Sequence, residues 1–192
     1  MDHLLHYARQ VSRAGAWFGG GLLILAAFVI GVDVVIRKLF NATIGGADEL
    51  SGYALAIGSA WSFAFALTER AHVRIDSLYV TLPARICALL DILGLTVFVL
   101  FLGMVTYYGY GVLWNTIEFD AHSMSPIATP LIYPQTLWVI GLSLFVLVAL
   151  LLLARAVIAF VSGDITTVAR LVGSRTISQE IEQELRGTED EA

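Results

Sequence analysis

Charge is scarce in this chain and cysteine is almost absent. Only 14% of its 192 residues are Asp, Glu, Lys or Arg, against about 25% in soluble domains, too few to solvate the surface of a globular fold. The single cysteine, Cys87, excludes an internal disulfide and any cysteine-based metal cage and leaves the redox compartment open; it reads as a small packing residue. No Ser-His-Asp spacing, glycine-rich phosphate loop, HExxH pair or CxxC motif occurs, and every ionisable residue within a long apolar stretch lies toward its end. Nothing therefore points to an enzyme, a cofactor or a metal. A basic field is missing too. Of 16 acids and 11 bases, six acids and one base fall between Ser178 and Ala192, leaving ten of each elsewhere, so nucleic acid is not an expected partner.

What the chain has in abundance is hydrocarbon. It is 58% hydrophobic with a mean hydropathy of +0.80, which marks an integral membrane protein. Residues 1–13 are mixed and read as an interfacial lead-in, and nineteen uncharged residues follow from Ala14 to Val32. That run is too long for a signal-peptide core and has no clear cleavage site, so it predicts a retained first span. Its Gly15 and Gly19 form a small-xxx-small pair for packing within the subunit. Asp33 closes this span near the far interface, where hydration or pairing with Arg37, four residues on, outweighs an ion-site role. The turn Asn41 to Gly46 then leads into a second uncharged run of nineteen residues, Leu50 to Thr68, about the length that crosses ~30 Å of hydrocarbon.

The second span is grooved. Gly52, Ala56, Ala60 and Ala64 repeat at four-residue spacing, as do Ala54, Gly58, Ser62 and Ala66, and between them runs the bulky row Tyr53, Ile57, Trp61, Phe65. Small ridges let backbones approach closely in lipid. Gly52, Ala56, Gly58, Ala60, Trp61 and Ala64 thus define a helix-packing face, which serves either partner helices or the subunit's own. Beyond it, Ile75, Leu78, Tyr79 and Leu82 share one helical face and Arg74, Ser77 and Thr81 another, predicting a short amphipathic helix in the headgroup plane. Pro83 suits the first turn of the next helix.

The third span runs uncharged from Ile92 to Ile117, long enough to tilt or to project beyond the membrane. Asp91, two turns inside Pro83, is expected to be solvated. A polar loop punctuated by Pro126, Pro130 and Pro134 follows, flanked by Tyr107, Tyr108, Tyr110, Trp114, Tyr133 and Trp138 as an aromatic belt. The fourth span covers roughly Leu131 to Ala154 and ends at Arg155. The chain is therefore predicted to be all-α, with four transmembrane helices and a short amphipathic cytoplasmic helix between helices 2 and 3. Its segments are a lead-in at 1–13, a membrane domain at 14–160 and an acidic cytoplasmic tail at 161–192. In that tail Ile177, Ile181 and Leu185 make a short helix plausible, although a solvated tail fits so few apolar residues better. Six arginines lie near the membrane on the side of the termini (Arg9, Arg13, Arg70, Arg74, Arg85, Arg155) against Arg37 and Lys38 on the other, which predicts cytoplasmic termini.

One combination of short motifs goes further. Arg37-Lys38-Leu39-Phe40-Asn41, then Asp48-Glu49-Leu50, then Arg70-Ala71-His72-Val73-Arg74-Ile75-Asp76 and Leu82-Pro83 resemble, in order and spacing, the small membrane subunit (DctQ type) of tripartite ATP-independent periplasmic (TRAP) transporters. The resemblance spans roughly residues 14 to 160. It implies a heteromeric transporter in the bacterial inner membrane that couples sodium entry to uptake of an organic acid, usually a carboxylate. The partners it implies are a large membrane subunit that carries the substrate and sodium sites, a periplasmic substrate-binding protein, and membrane lipid. Arg37, Asn41, Glu49, Arg70, His72, Arg74, Asp76 and Pro83 are the positions matching the family pattern, and topological or interfacial work is expected of them. The loop Ser123-Met124-Ser125-Pro126 would face the binding protein.

Two other classes compete. A four-helix anchor of a respiratory oxidoreductase binds haem through histidines of two helices, or lacks haem; here His122 is expected on one side and His3, His6 and His72 on the other, so His122 shares no iron with them. A small proton-coupled exporter needs a carboxylate deep in a span, and only Asp33 and Asp91 come near.

Overall fold

The computed structural model describes residues 2–69 and 82–173. Among the described residues there are four long apolar helices and one short helix: α1 (Asp2–Phe40), α2 (Ala47–Thr68), α3 (Ala84–Glu118), α4 (Ile132–Val161) and α5 (Ile165–Val172). The four long ones are each long and apolar enough to cross a membrane. The amphipathic helix expected between the second and third spans falls almost wholly on residues 70–81, outside the described residues, as does the tail helix expected around Ile177.

Lengths depart from the uncharged runs because charge marks where lipid ends, not where a helix ends. At 39 residues, α1 is about 58 Å long and runs without a break from the lead-in through the first span. The fourth helix passes Arg155 and continues to Val161. Ala156 and Ala159 behind it are buried, so packing carries the helix on while a long side chain such as Arg155 reaches out of the hydrocarbon. Pro83 sits one place earlier than expected, at the N-cap of α3 with extended backbone (ψ 142°), and its carbonyl accepts from the amides of Ile86 and Cys87.

The helices stand in the order α1, α2, α4, α3, each packed mainly on its neighbour. The inner pair, α2 and α4, is covered on both sides, whereas α1 is a flank: 11% of its most apolar window is buried, against 33% for α2 and for α4. The core lies between α2, α3 and α4, where Ala64, Val148, Ala149 and Ala156 are fully buried and Phe145 meets the rings of Phe63 and Phe98 at 5.6 and 5.7 Å.

Glycine sets how closely α2 approaches its neighbours α1 and α4. A methyl group at Gly19 of α1 would stand 2.6 Å from the carbonyl oxygen of Gly58 on α2, and one at Gly58 would stand 3.0 Å from that of Gly19. The two backbones are in contact. One turn away, Trp61 lies between Gly15 of α1 and Gly141 of α4, where an added methyl group would come within 3.2 and 2.6 Å of it. Its indole N–H donates to the Leu137 carbonyl at 3.0 Å, and its ring meets Phe18 edge-on at 5.3 Å. One side chain thus joins three helices.

The short helix α5 has no counterpart among the expected spans. It folds back on α4 and α3, burying Val168 against Ala88 and Ala159. Asp91, one turn along α3 from Ala88, is 3% exposed rather than solvated as expected, because α5 thickens the bundle at the end where α3 begins. The N-cap of α5 is Asp164, whose carboxylate accepts from the Thr167 amide and from the hydroxyls of Thr166 and Thr167. These donors, the Thr166 hydroxyl foremost, hold the Asp164 carboxyl down at about 2.

Two predictions follow from this geometry. Gly19→Leu and Gly58→Leu should each destabilise the isolated subunit by about 1–3 kcal/mol or more, seen as a lower thermal midpoint in detergent. For α5, a depressed folded-state carboxyl stabilises at pH values above its unfolded pKa and loses that contribution as pH falls through the folded value. Hydrogen-exchange protection in residues 165–172 should hold near neutrality and fall between about pH 4 and pH 2. In Asp164→Ala protection should be low throughout and lack that step.

Candidate functional site

The motif residues separate into two groups because α2 carries the chain from one end of the bundle to the other. Arg37, Asn41 and Glu49 gather where α1 ends and α2 begins. Pro83 stands at the opposite end, and Arg70, His72, Arg74 and Asp76 lie outside the described residues.

At the first end two carboxylates organise the loops. Asp33 is only 2% exposed. It accepts from Arg37 at 2.5 Å, from the Thr43 hydroxyl at 2.8 Å and from the Ile44 amide at 2.7 Å, so of the two expected alternatives it takes the pairing with Arg37 rather than hydration, and it holds the turn that leads into α2. That turn opens on Asn41 in the left-handed region, φ 53°, which asparagine tolerates after a helix C-terminus. It closes on Gly46 at φ 128°, where an added methyl group would stand 2.2 Å from Ile127. The backbone conformation there is one that L side chains rarely adopt, so glycine is required on conformational grounds, while the Ile127 side chain could move aside.

Glu49, in the first turn of α2, accepts from the Tyr53 hydroxyl at 2.5 Å and from the Ser123 hydroxyl at 2.7 Å. The second bond reaches across to the loop between α3 and α4. That loop is itself braced: Ser123 N–H donates to the Thr129 carbonyl, Leu131 N–H to that of Ala121, and Ala128 N–H to that of Ser125. Within it the Ser123 and Ser125 hydroxyls lie 2.9 Å apart. Thr116 donates to Gln135 at 2.6 Å, joining the adjoining ends of α3 and α4. Met124 projects fully exposed from the loop tip. Both carboxylates are thus occupied as acceptors for loop donors, an arrangement that fixes shape and leaves neither poised as a base.

The packing face divides along its length. Gly58, Ala60 and Ala64 are buried and Trp61 is half-buried, whereas Gly52 and Ala56 remain exposed. The buried part is used inside the subunit, against α1 and α4. Sequence reasoning had found the Asp33–Arg37 spacing and the small ridges. It had not found the partners of Glu49, whose one sequence signal is the Ser-x-Ser-Pro turn at Ser123–Pro126, 74 positions away. Among the described residues no three His, Cys, Asp or Glu side chains come together as a metal site would need, and His6 and His122 lie at opposite ends of the bundle.

The family model for the DctQ component of tripartite ATP-independent periplasmic transporters matches residues 26–159, from the middle of α1 almost to the end of α4. The chain belongs to the DctQ family. No match was found among curated proteins, and none among solved structures. As a DctQ protein it is a component of a TRAP transporter and a multi-pass membrane protein, and this membership favours neither the respiratory anchor nor the stand-alone exporter. The matched region contains both loop-holding carboxylates, Asp33 and Glu49, and omits the first part of α1 and all of α5.

Replacing Asp33 by Ala leaves the Ile44 amide and Arg37 without their acceptor, and Glu49→Ala releases the Ser123 loop. Each variant should cut cleavage resistance in its own loop, residues 41–46 for Asp33 and 119–131 for Glu49, under limited proteolysis in detergent. Both should keep the helical circular-dichroism signal of the parent. Ser123→Ala should reproduce the Glu49 effect in weaker form, since a hydrogen bond to a charged group exceeds one between neutral groups.

Proposed function

We propose that this DctQ protein braces the large membrane subunit of its transporter, which carries out sodium-coupled uptake of an organic acid, most simply a carboxylate, handed over by a periplasmic binding protein. The observation that carries this reading is the unused flank of α1. Trp17, Ile24 and Phe28 are 79, 74 and 68% exposed, and beside them an open groove of 660 Å³ is lined by Gly20, Gly21, Trp17, Ile24 and Phe65 with Arg13 at one end. A methyl group added at Gly20 or Gly21 would meet nothing within 4 Å, so these glycines are not required by the subunit's own packing. Glycines that leave a helix backbone open toward lipid favour a close approach by another helix. Family membership implies a large membrane subunit as partner, and this proposal assigns it to that face.

The inner membrane of a bacterium, with both termini cytoplasmic, fits the six arginines against two basic residues at the two ends. In that orientation the Glu49 end faces the periplasm, and the loop carrying Met124 is presented to the binding protein. By the same rule the loop that carries Arg70, His72, Arg74 and Asp76 is assigned to the cytoplasmic side.

Two kinds of glycine substitution separate bracing from self-packing. Gly20→Leu with Gly21→Leu should leave the thermal midpoint of the isolated subunit within a few degrees of the parent and strongly reduce copurification of the large subunit and uptake by whole cells. Gly58→Leu should lower the midpoint of the isolated subunit itself. Normal copurification and uptake with leucine at both Gly20 and Gly21 would exclude the α1 flank as the docking face.

A further inference from the structure

At the end of the bundle opposite Glu49 lies a half-enclosed cavity of 260 Å³ that the bracing role does not use. Its walls are of two kinds. Leu5, Ala8, Val148, Leu152 and Leu171 are apolar, while His6, Arg9 and Arg170 line it with basic side chains. Three helices supply these groups: Leu5, His6, Ala8 and Arg9 from the first turns of α1, Val148 and Leu152 from α4, Arg170 and Leu171 from α5. Thr68 completes the lining at the C-terminus of α2, but its hydroxyl already donates to the Phe65 carbonyl.

We propose that this cavity binds one anionic phospholipid, its phosphodiester held by Arg9 and Arg170 and the upper part of an acyl chain lying on Leu5 and Leu171, beside Leu152. Four observations carry the assignment. The cavity lies at Thr68, the last residue of α2, where the uncharged run of the second span stops. Its basic and apolar walls face the same space, which matches an amphiphile rather than a soluble anion. Its volume falls below the ~300–1,000 Å³ of pockets for whole organic ligands and suits a headgroup whose tails remain in the bilayer. The acid at its rim, Glu69, reaches Arg9 only at 3.9 Å, and the Arg9 side chain stays 59% exposed, so its donors are not consumed. The first turns of α1 add the positive end of a helix dipole. Basic pockets between transmembrane helices are a recurrent way of holding anionic headgroups.

α5 takes on a role here that its sequence did not advertise. Docked through Val168, it delivers Arg170 to a cavity otherwise walled by α1 and α4. The lipid would join α1, the flank with least buried surface, to α4 and α5. It requires no other subunit, so its test is independent of whether the large subunit docks on α1.

The test uses the full chain purified in a neutral detergent, with phosphatidylglycerol or phosphatidylcholine added, and reads retained lipid by native mass spectrometry and stability by thermal midpoint. Phosphatidylglycerol should be retained at one molecule per chain and raise the midpoint, and phosphatidylcholine should do neither. Arg9→Gln and Arg170→Gln should each weaken retention about fivefold, the worth of one basic residue near an anionic surface, while Arg9→Lys with Arg170→Lys should largely restore it. Lys38→Gln, which removes one positive charge at the far end of α1, should leave retention unchanged. Inorganic phosphate should not raise the midpoint, because it has no chain to cover the apolar wall; equal stabilisation by phosphate would overturn the assignment to a lipid. So would undiminished retention by the double Arg9→Gln, Arg170→Gln variant. Retention that appears only after the six acids between Glu180 and Glu191 are changed to Gln would likewise overturn it, by showing that the chain's own tail holds the cavity.

Discussion

The contact between two helix backbones at Gly19 and Gly58 is the constraint on which the remaining architecture depends. In lipid there is no hydrophobic gain in bringing two apolar helices together, so association rests on how closely their surfaces fit. Here side chains are absent from both surfaces at the crossing. Trp61 extends the same logic to a third helix: it fills the space that Gly15 and Gly141 leave, and its N–H finds a backbone acceptor, as a buried indole requires. With α1, α2 and α4 joined in this way, the large side chains of α1 that point elsewhere have nothing within the subunit to cover them.

An array of four helices in a row, unlike a closed bundle, leaves two flanks. α3 is supported at both ends, by α5 where it begins and by the Thr116–Gln135 bond where it ends, while α1 has a single principal neighbour. A brace for a larger membrane protein needs this asymmetry. Its own core must hold without the partner, and one broad apolar face must remain for docking. Lipid in the cavity at Arg9 and Arg170, which shares no lining residue with the groove on that face, would steady α1 without occupying it.

The polar residues work at the rims. Asp33 and Glu49 are unusual for a membrane protein only until their partners are counted: each carboxylate accepts from loop donors, and together they hold the turn before α2 and the loop before α4. A carboxylate satisfied by a guanidinium, a hydroxyl and an amide stabilises a shape through charge-assisted bonds. Asp164 does the same for α5 with two threonine hydroxyls and an amide. In each case one acid side chain sets the course of a connection between helices.

The sequence by itself determined the number of spans, their approximate limits, the Asp33–Arg37 spacing and the family. Each of these follows from local composition or from short-range spacing, and hydrocarbon thickness imposes both. Tertiary structure alone decided which small residues were consumed within the subunit. Gly58 and Gly52 look alike along α2, yet one meets a glycine of α1 and the other meets nothing. It also decided the fate of Asp91, buried at the end that α5 thickens, and the meeting of Glu49 with Ser123 across 74 positions. Periodicity assigns a residue to a helix face, but what that face meets depends on the order in which the helices stand, and in a membrane a uniformly apolar sequence carries little record of that order.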